Sequence, residues 1–276
     1  MEPIISIITA SYNNSKSLQR CIDSVKEQNS QIFEHLIVDG ASQDGTVGIL
    51  KKNADNIAWW ISEPDTGIYE AWNKALVHAR GEWLLFLGGD DQLATPHAME
   101  RVVPCLNKAY PAYRIVYGRI NLLNASGGLL ETLGAGWDDY KGKYEQGRIK
   151  LPPHPAVFHH KSVFHQRGFD ESFRLAGDSE FLIQELKKHP ALFIPETITD
   201  MTMGGTSGTP RNSLLRWKEC RKAMKRHGLK MPPHILTWHR MKNLSEFLVF
   251  AALPTGKARQ LADTLRLLLG EKKRWT

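Results

Sequence analysis

Two adjacent carboxylates, Asp90 and Asp91, follow two glycines in the segment WLLFLGGDDQL (83–93), which contains no basic residue. Carboxylates about 4 Å apart repel by roughly 4 kcal/mol at an effective dielectric near 20, so something should offset the charge. A divalent cation held by the pair would do so. A solvated polar turn is the other reading, because Gly and Asp both favour turns. More polar chemistry sits in comparable short segments: Thr9, Ser11 and Tyr12 in TASYNN, Asp39 and Asp44 in DGASQDGT, and Asp65 in SEPDTG. Asp39 and Asp44 have the acceptor capacity to take ribose hydroxyls or a base edge. Asp178 and Glu180 form a second acidic group in AGDSEF.

These segments need elements to bring them together. IISIITA (4–10) is short and β-branched, a buried strand by composition, and FEHLIVD (33–39), IAWWIS (57–62) and EWLLFL (82–87) read as the second, third and fourth strands. Between them, SKSLQRCIDSVKEQ, DGTVGILKKNA (capped by Asp44) and IYEAWNKALVHARG carry apolar residues at helical spacing, the last closing on Gly81 as a C-cap. Strand and helix alternating in this way predict an α/β fold with a mostly parallel, Rossmann-like sheet. Ligands of such sheets gather beyond the carboxyl ends of the strands, where TASYNN, DGASQDGT, SEPDTG and GGDD all fall. The rim reads as a site.

The familiar phosphate cradles are missing. No GxxxxGK[ST] occurs, and the first strand leads into SYNNSKS rather than GxGxxG, which argues against a P-loop NTPase or a dinucleotide dehydrogenase. An acidic rim holds a diphosphate through a bridging magnesium or manganese ion.

Four consecutive blocks, ISIITASYNNSKSLQRCIDSVKEQ, HLIVDGASQDGT, ISEPDTGIYEAWNKAL and ARGEWLLFLGGDD, resemble the nucleotide-binding half of family 2 glycosyltransferases, which have the GT-A fold. The likeness covers roughly residues 3–205 and is nearest to the subgroup that assembles bacterial capsule, exopolysaccharide and lipopolysaccharide. It implies that Thr9, Ser11, Tyr12, Asp39 and Asp44 surround the base and ribose, with Asp65 and Asn73 completing the nucleotide set. It carries Mn2+ or Mg2+ to Asp90, with Asp91 close behind. Where the family motif has its first acid this chain has Gly88, and where an arginine is favoured before Asn73 it has Trp72, which lies on the apolar face of its helix.

After a helix near 94–108, YRIVYGRINLLNASGGLLETLG reads as a hairpin turning on Asn124–Gly128. The resemblance places the family's catalytic carboxylate in AGDSEF, so Asp178 becomes the general base on the acceptor hydroxyl, with Glu180 in reserve. Asp178 read alone could equally be a helix N-cap. The same likeness sets His154 of PPHPAVF beside the acceptor. His159 and His160 are adjacent, so a strand would aim them to opposite faces, which argues against a shared metal. MTMGGTSGTP (201–210) could be a lid or a linker, and acceptor recognition is expected from loops such as 134–150. The implied activity is inverting, metal-dependent transfer of a sugar from a nucleotide-sugar, UDP-linked as a first guess and GDP- or dTDP-linked otherwise. The acceptor would be a saccharide or a polyprenyl-diphosphate-linked sugar. A sugar nucleotidyltransferase would want a glycine-rich basic loop after the first strand, which ASYNNSKS does not offer. A non-catalytic carbohydrate-binding protein on the same fold is the other alternative.

With 276 residues, 42% hydrophobic and 24% charged, the chain is an ordinary globular protein large enough for a domain and an appendage. Its three cysteines are widely spaced, and MEPIISIITASYNN lacks a basic leader region, so a reducing, cytoplasmic setting is expected. The net charge of +7 is unevenly divided. Residues 1–210 carry 20 Lys+Arg against 25 Asp+Glu, and residues 211–276 carry 16 against 4. The expected organisation is therefore a GT-A domain over 1–210, split into a nucleotide-sugar half (1–93) and an acceptor half (94–210), followed by a basic amphipathic helical extension (211–276). Such an extension could lie on an anionic membrane surface or be a solvated or packed helical face. No nucleic-acid partner is expected.

Overall fold

A computed structural model describes residues 2–28, 32–124, 126–146, 150–203, 210–233, 237, 241, 248–249, 252–253 and 255–268. The strands are β1 Ile5–Ser11, β2 Phe33–Asp39, β3 Trp59–Ser62, β4 Trp83–Gly88, β5 Gln92–Leu93, β6 Ile115–Leu123, β7 Leu129–Leu133, β8 Val157–His160 and β9 Ala191–Thr202. The helices are α1 Leu18–Lys26, α2 Thr46–Lys52, α3 Ile68–Leu76, α4 Ala98–Ala109, α5 Trp137–Glu145, α6 Gly177–Leu186, α7 Pro210–Arg226 and α8 Thr255–Leu268. The described strands form one sheet in the order β3-β2-β1-β4-β8-β6-β9-β5, with β7 paired to β6.

The first half is parallel, as the alternation of strands and helices predicts. β1 lies between β2 and β4, and β3 pairs β2, all parallel. Both faces of this part are covered, so β1, β2 and β4 are buried nearly throughout, while β3 at the edge is half-buried. Successive side chains go to opposite faces. Ile5, Ile7, Leu85 and Leu87 join the core made with Met99, Val102 and Leu106 of α4. Ile8, Leu84 and Phe86 join the core made with Tyr69, Trp72 and Ala75 of α3. Trp72 is 5% exposed and packs on Phe86, His154 and Phe169.

The second half is mixed. β8 is antiparallel to β4 and β6, β9 runs parallel to β6, and β5 pairs antiparallel with the end of β9. The hairpin turns where expected, β6 and β7 flanking residues 124–128. His159 and His160 do face apart: His159 packs on Phe86 and Phe181, and His160 stacks on Tyr110. Residues 134–150, expected as loop, contain α5, whose first turn carries Asp138 and Asp139 at the positive end of the helix dipole. Gly81 is not a helix C-cap. α3 ends at Leu76, and Gly81 is a close-approach glycine: a Cβ there would stand 2.5 Å from the Ser6 backbone nitrogen of β1. Of the expected lid or linker, residues 204–209 lie outside the described residues.

α7 packs against α6 rather than standing apart. Ala223 and Met224 are buried in the core shared with Phe181 and Ile183.

Candidate active site

Strand register makes the rim a single line. Ser11 of β1 is level with Asp39 of β2, Asp39 is level with Ser62 of β3, and Ala10 is level with Gly88 of β4. Beyond this line the loops interlock. Asn13, at φ 47°, donates from its backbone to Ser42 Oγ at 2.7 Å and accepts Gln43 N–H at 3.0 Å. Ala41 is also left-handed at φ 59°. Strained backbone of this kind costs of order 1–3 kcal/mol per residue and collects at ligand sites.

The candidate nucleotide residues divide into those on the rim and those beneath it. Tyr12 is 68% exposed and its ring flanks the bare face of Gly40. Ser11 Oγ is buried and has no hydrogen-bond partner among the described residues. Asp39 is fully buried and accepts from Ser42 N–H at 2.9 Å, from Ser42 Oγ and from Ser62 Oγ at 2.6 Å, which fixes the turn after β2. Asp44 accepts from Ser15 N–H at 2.9 Å and from Thr46 Oγ1 at 2.6 Å. These bonds hold its carboxyl well below the usual carboxylate range. Asp65 accepts Gly67 N–H at 3.0 Å and leans over Gly40. Burial raises its pKa, and the Asp39 charge adds to the effect.

Two expected members of the set are elsewhere. Thr9 is completely buried inside the sheet, its hydroxyl 3.0 Å from His35 Nε2, so its side chain supports the rim from below. Asn73 donates to the Phe169 carbonyl at 2.9 Å and accepts Phe169 N–H at 2.8 Å. It sits on the side of α3 that pins the 168–171 segment, since a helix presents a side chain to one face only.

Asp90 is half-buried and Asp91 is 6% exposed. Burial raises both carboxyl pKa values, that of Asp91 far above its ordinary value with the Asp90 charge contributing. The pair encloses Gly88, where a Cβ would meet Asp91 Oδ2 at 2.7 Å and Asp90 Oδ1 at 3.0 Å. The Asp91 carboxylate thus fills the space that an acid at Gly88 would need. Gly89 is equally constrained, because a Cβ there would lie 2.5 Å from Asn14 Nδ2. The turn is held by Gly88 N–H donating to Asp91 Oδ2 at 3.2 Å and by β5 pairing with Thr199 and Asp200 of β9.

A cleft of about 430 Å³ opens beside Asp90, lined also by Asn14, Lys16, Ser17, Arg20, Asp44 and Thr202. Motif reading does not find Lys16 and Arg20. Lys16 lies in the turn just before α1 and Arg20 in the first turn of that helix, and both line the cleft. Cys21, behind Asp90 and Asp91, is pushed up to about 12 by burial and stays a thiol.

Asp178 is the second residue of α6, whose N-cap position is Ala176. It is therefore not the helix cap. Tyr69 Oη, from the first turn of α3, donates to Asp178 Oδ1 at 3.0 Å. Gly177 allows the contact, since a Cβ would stand 2.8 Å from the Tyr69 ring. His154 is 8% exposed, stacked on Trp72, and near enough to Asp178 to feel its charge, though burial keeps the imidazole pKa low. Glu180 is placed differently. It is fully buried, with Arg167 Nη2 at 2.9 Å and His227 Nε2 at 2.8 Å, so it has no free face for a substrate. Helical geometry explains the split, because residues two apart in a helix point nearly opposite ways.

A family model described as Glycosyl transferase family 2 matches residues 6–173. An uncharacterised glycosyltransferase of Mycobacterium tuberculosis is 30% identical over 191 residues, 66% of this chain and 68% of that protein. A PGL/p-HBAD biosynthesis glycosyltransferase of Mycobacterium bovis is 29% identical over 189 residues, 66% of this chain and 69% of that protein. Among solved structures, the mannosyltransferase PcManGT of Pyrobaculum calidifontis in complex with GDP-Man and Mn2+ superposes with a TM-score of 0.64 at 18% identity, over 98% of this chain and 81% of that one. TarS of S. aureus (residues 1–349) in complex with UDP-GlcNAc does so with a TM-score of 0.63 at 15% identity, over 97% and 78%. At such identity these two speak for the fold alone, and the fold is GT-A.

Proposed function

The chain belongs to glycosyl transferase family 2, and from that premise we propose that this glycosyltransferase moves a sugar, with inversion, from a nucleotide-sugar to a saccharide acceptor of the cell envelope. The observation that carries the reading is the pair of half-buried Asp90 and buried Asp91, set on the same rim as Ser11 and Asp39, with Asp90 opening on a cleft with two cations. The base and ribose fall to Tyr12, Ser11, Asp39, Asp44 and Asp65, and the diphosphate to Lys16, Arg20 and the acidic pair. A UDP-sugar is the first choice of donor, with GDP- and dTDP-sugars next.

The acidic pair fits a divalent cation. Its ligands are hard carboxylate oxygens suited to Mn2+ or Mg2+, and its burial and mutual repulsion favour a positive partner. Among the described residues no set of three or more acidic, His or Cys ligands gathers, so remaining positions would be left to phosphate oxygens and water. A bound ion would neutralise charge developing on the departing diphosphate.

The chain's own residues then act in order. Tyr12 and the loops after β1 and β2 orient the nucleoside. Tyr69 occupies Asp178 Oδ1 and so leaves Oδ2 toward the acceptor. The acceptor hydroxyl gives its proton to Asp178 as its oxygen bonds to C1, and the C1–O bond to the diphosphate breaks, the leaving oxygen keeping the electron pair. A sugar linked alpha in the donor becomes beta-linked. His154 contributes to the acceptor side. A lipid-linked acceptor is supported by the basic C-terminal region, and the Mycobacterium bovis relative is named for PGL/p-HBAD biosynthesis. No helix among the described residues is long and apolar enough to cross a membrane. The contact proposed is peripheral, on the cytoplasmic face.

Product stereochemistry tests this reading. Anomeric coupling in the NMR spectrum of a product made from an alpha-linked donor should report a beta linkage, and Asp178→Asn should lower turnover at least a thousandfold. An alpha-linked product, or an active Asp178→Asn enzyme, would overturn it.

A further inference from the structure

We infer that Glu219, in the basic C-terminal region, is a positioning residue for Asp178; the inference rests on the reading of Asp178 as the base. α7 has the sequence PRNSLLRWKECRKAMKR, in which Glu219 is the sole acid among many cations. That acid is turned inward and is 7% exposed. Its carboxylate collects three consecutive backbone donors: Arg174 N–H at 2.9 Å on Oε1, and Leu175 N–H at 2.8 Å and Ala176 N–H at 2.9 Å on Oε2.

Those three amides lead directly into α6. A helix start leaves N–H groups without intrahelical partners, and a Ser, Thr, Asp or Asn at the N-cap usually satisfies one. Here the N-cap is Ala176, which has no side chain to do it. Glu219 serves the same approach from 43 residues downstream, adding a negative charge that suits the positive end of the helix. The direction of the Asp178 side chain, two residues on, follows from this backbone. Tyr69 fixes one Asp178 oxygen, and Glu219 fixes the main chain from which the carboxylate projects.

The rest of α7 holds Glu219 in register. Arg226 pairs with Asp170, His227 meets buried Glu180 at 2.8 Å, Lys187 Nζ donates to the His227 carbonyl at 2.6 Å, and Lys222 Nζ donates to Ser172 Oγ at 3.0 Å. These contacts bracket the 170–176 segment. The donor residues around Asp39 and Asp90 belong to other strand ends, so loosening this bracket should disturb the chemical step and leave donor binding intact.

The experiment compares Glu219→Gln, Asp178→Asn and the double variant in the full chain. Nucleotide release is followed from UDP-N-acetylglucosamine, GDP-mannose or dTDP-glucose, according to which nucleotide binds, with water and octyl glycosides as acceptors. Gln keeps the shape and one acceptor oxygen, so the fold should persist, with a thermal midpoint within a few degrees of the parent. For Glu219→Gln the expected result is a kcat at least tenfold lower with donor KM within twofold, and no further loss when added to Asp178→Asn. A purely structural role would lower the single and the double variant alike, and would overturn the inference, as would an unchanged kcat beside an inactive Asp178→Asn. If Asp178→Asn itself turns over normally, it is the base assignment that fails.

Discussion

Asp91 has a second carboxylate beside it, almost no contact with solvent, and one backbone N–H to accept. Its folded pKa is raised, so the charged form is disfavoured by the fold, and stability is lost as pH rises through the folded value. At neutral pH without divalent cations, Asp91 therefore destabilises the protein, by about 1.4 kcal/mol for every tenfold difference in proton affinity between the folded and unfolded chain. Asp91→Asn should raise the thermal midpoint in EDTA while lowering activity, since functional strain and stability trade against each other. A melting curve unmoved or lowered by the substitution would count against charge as the cause. Tyr12 is the other residue to test. Its ring is exposed beside Gly40, and base stacking on an aromatic contributes about 1–3 kcal/mol. Tyr12→Ala should weaken nucleotide binding roughly tenfold to a hundredfold by calorimetry and leave the thermal midpoint unchanged.

The elements are legible in unequal measure. Residues 4–88 alternate short apolar runs with amphipathic segments, and periodicity is enough to give β1 to β4 and α1 to α3. The second half resists, because β5 is two residues long and β9 carries Pro195 in mid-strand. Neither is recognisable without the partner that hydrogen-bonds it. Gly81 marks the same limit: as a sequence sign it reads as a helix end, and only the approach of β1 reveals its role. Gly81→Ala would push a Cβ against Ser6 N and the Ile5 carbonyl carbon, both backbone atoms that cannot step aside. A loss of about 1–3 kcal/mol is expected, the usual cost of overpacking, read from the urea midpoint. A neutral result would mean that β1 does not crowd this position. At the site, acid types are readable as chemistry, but Glu180 and Asn73 show that the facing of a helical side chain depends on tertiary neighbours.

Across the whole molecule, four buried imidazoles set the response to acid. Burial lowers the pKa of His35 to about 3, and it also lowers His154, His160 and, further, His159. In the unfolded chain each titrates near 6.5. Below that pH the unfolded state binds protons that the folded state refuses, so their contribution is complete above about 6.5 and lost as pH falls toward the folded values. The slope is up to about 1.4 kcal/mol per pH unit for each. The raised carboxyls of Asp65, Asp90 and Asp91 act in the opposite sense and are outnumbered by the four rings. The urea midpoint should fall steadily between pH 7 and pH 5, and a flat profile would mean that these rings are solvated. The basic region adds a surface prediction. α7 has its Ala223 and Met224 buried on α6, and the exposed Leu267 and Leu268 of α8 are proposed as the membrane contact. Wild-type protein should co-sediment with phosphatidylglycerol vesicles, and Leu267→Asp with Leu268→Asp should abolish this without altering nucleotide binding.

The central claim is that the acidic rim binds a nucleotide through a divalent cation. Calorimetric titration of UDP, GDP and dTDP into the protein, with Mn2+ and then with EDTA, tests it most directly. One nucleotide should bind with Mn2+, lose at least tenfold in affinity in EDTA, and fail to bind Asp90→Ala. Equal binding in Mn2+ and EDTA, or undiminished binding by Asp90→Ala, would contradict the account.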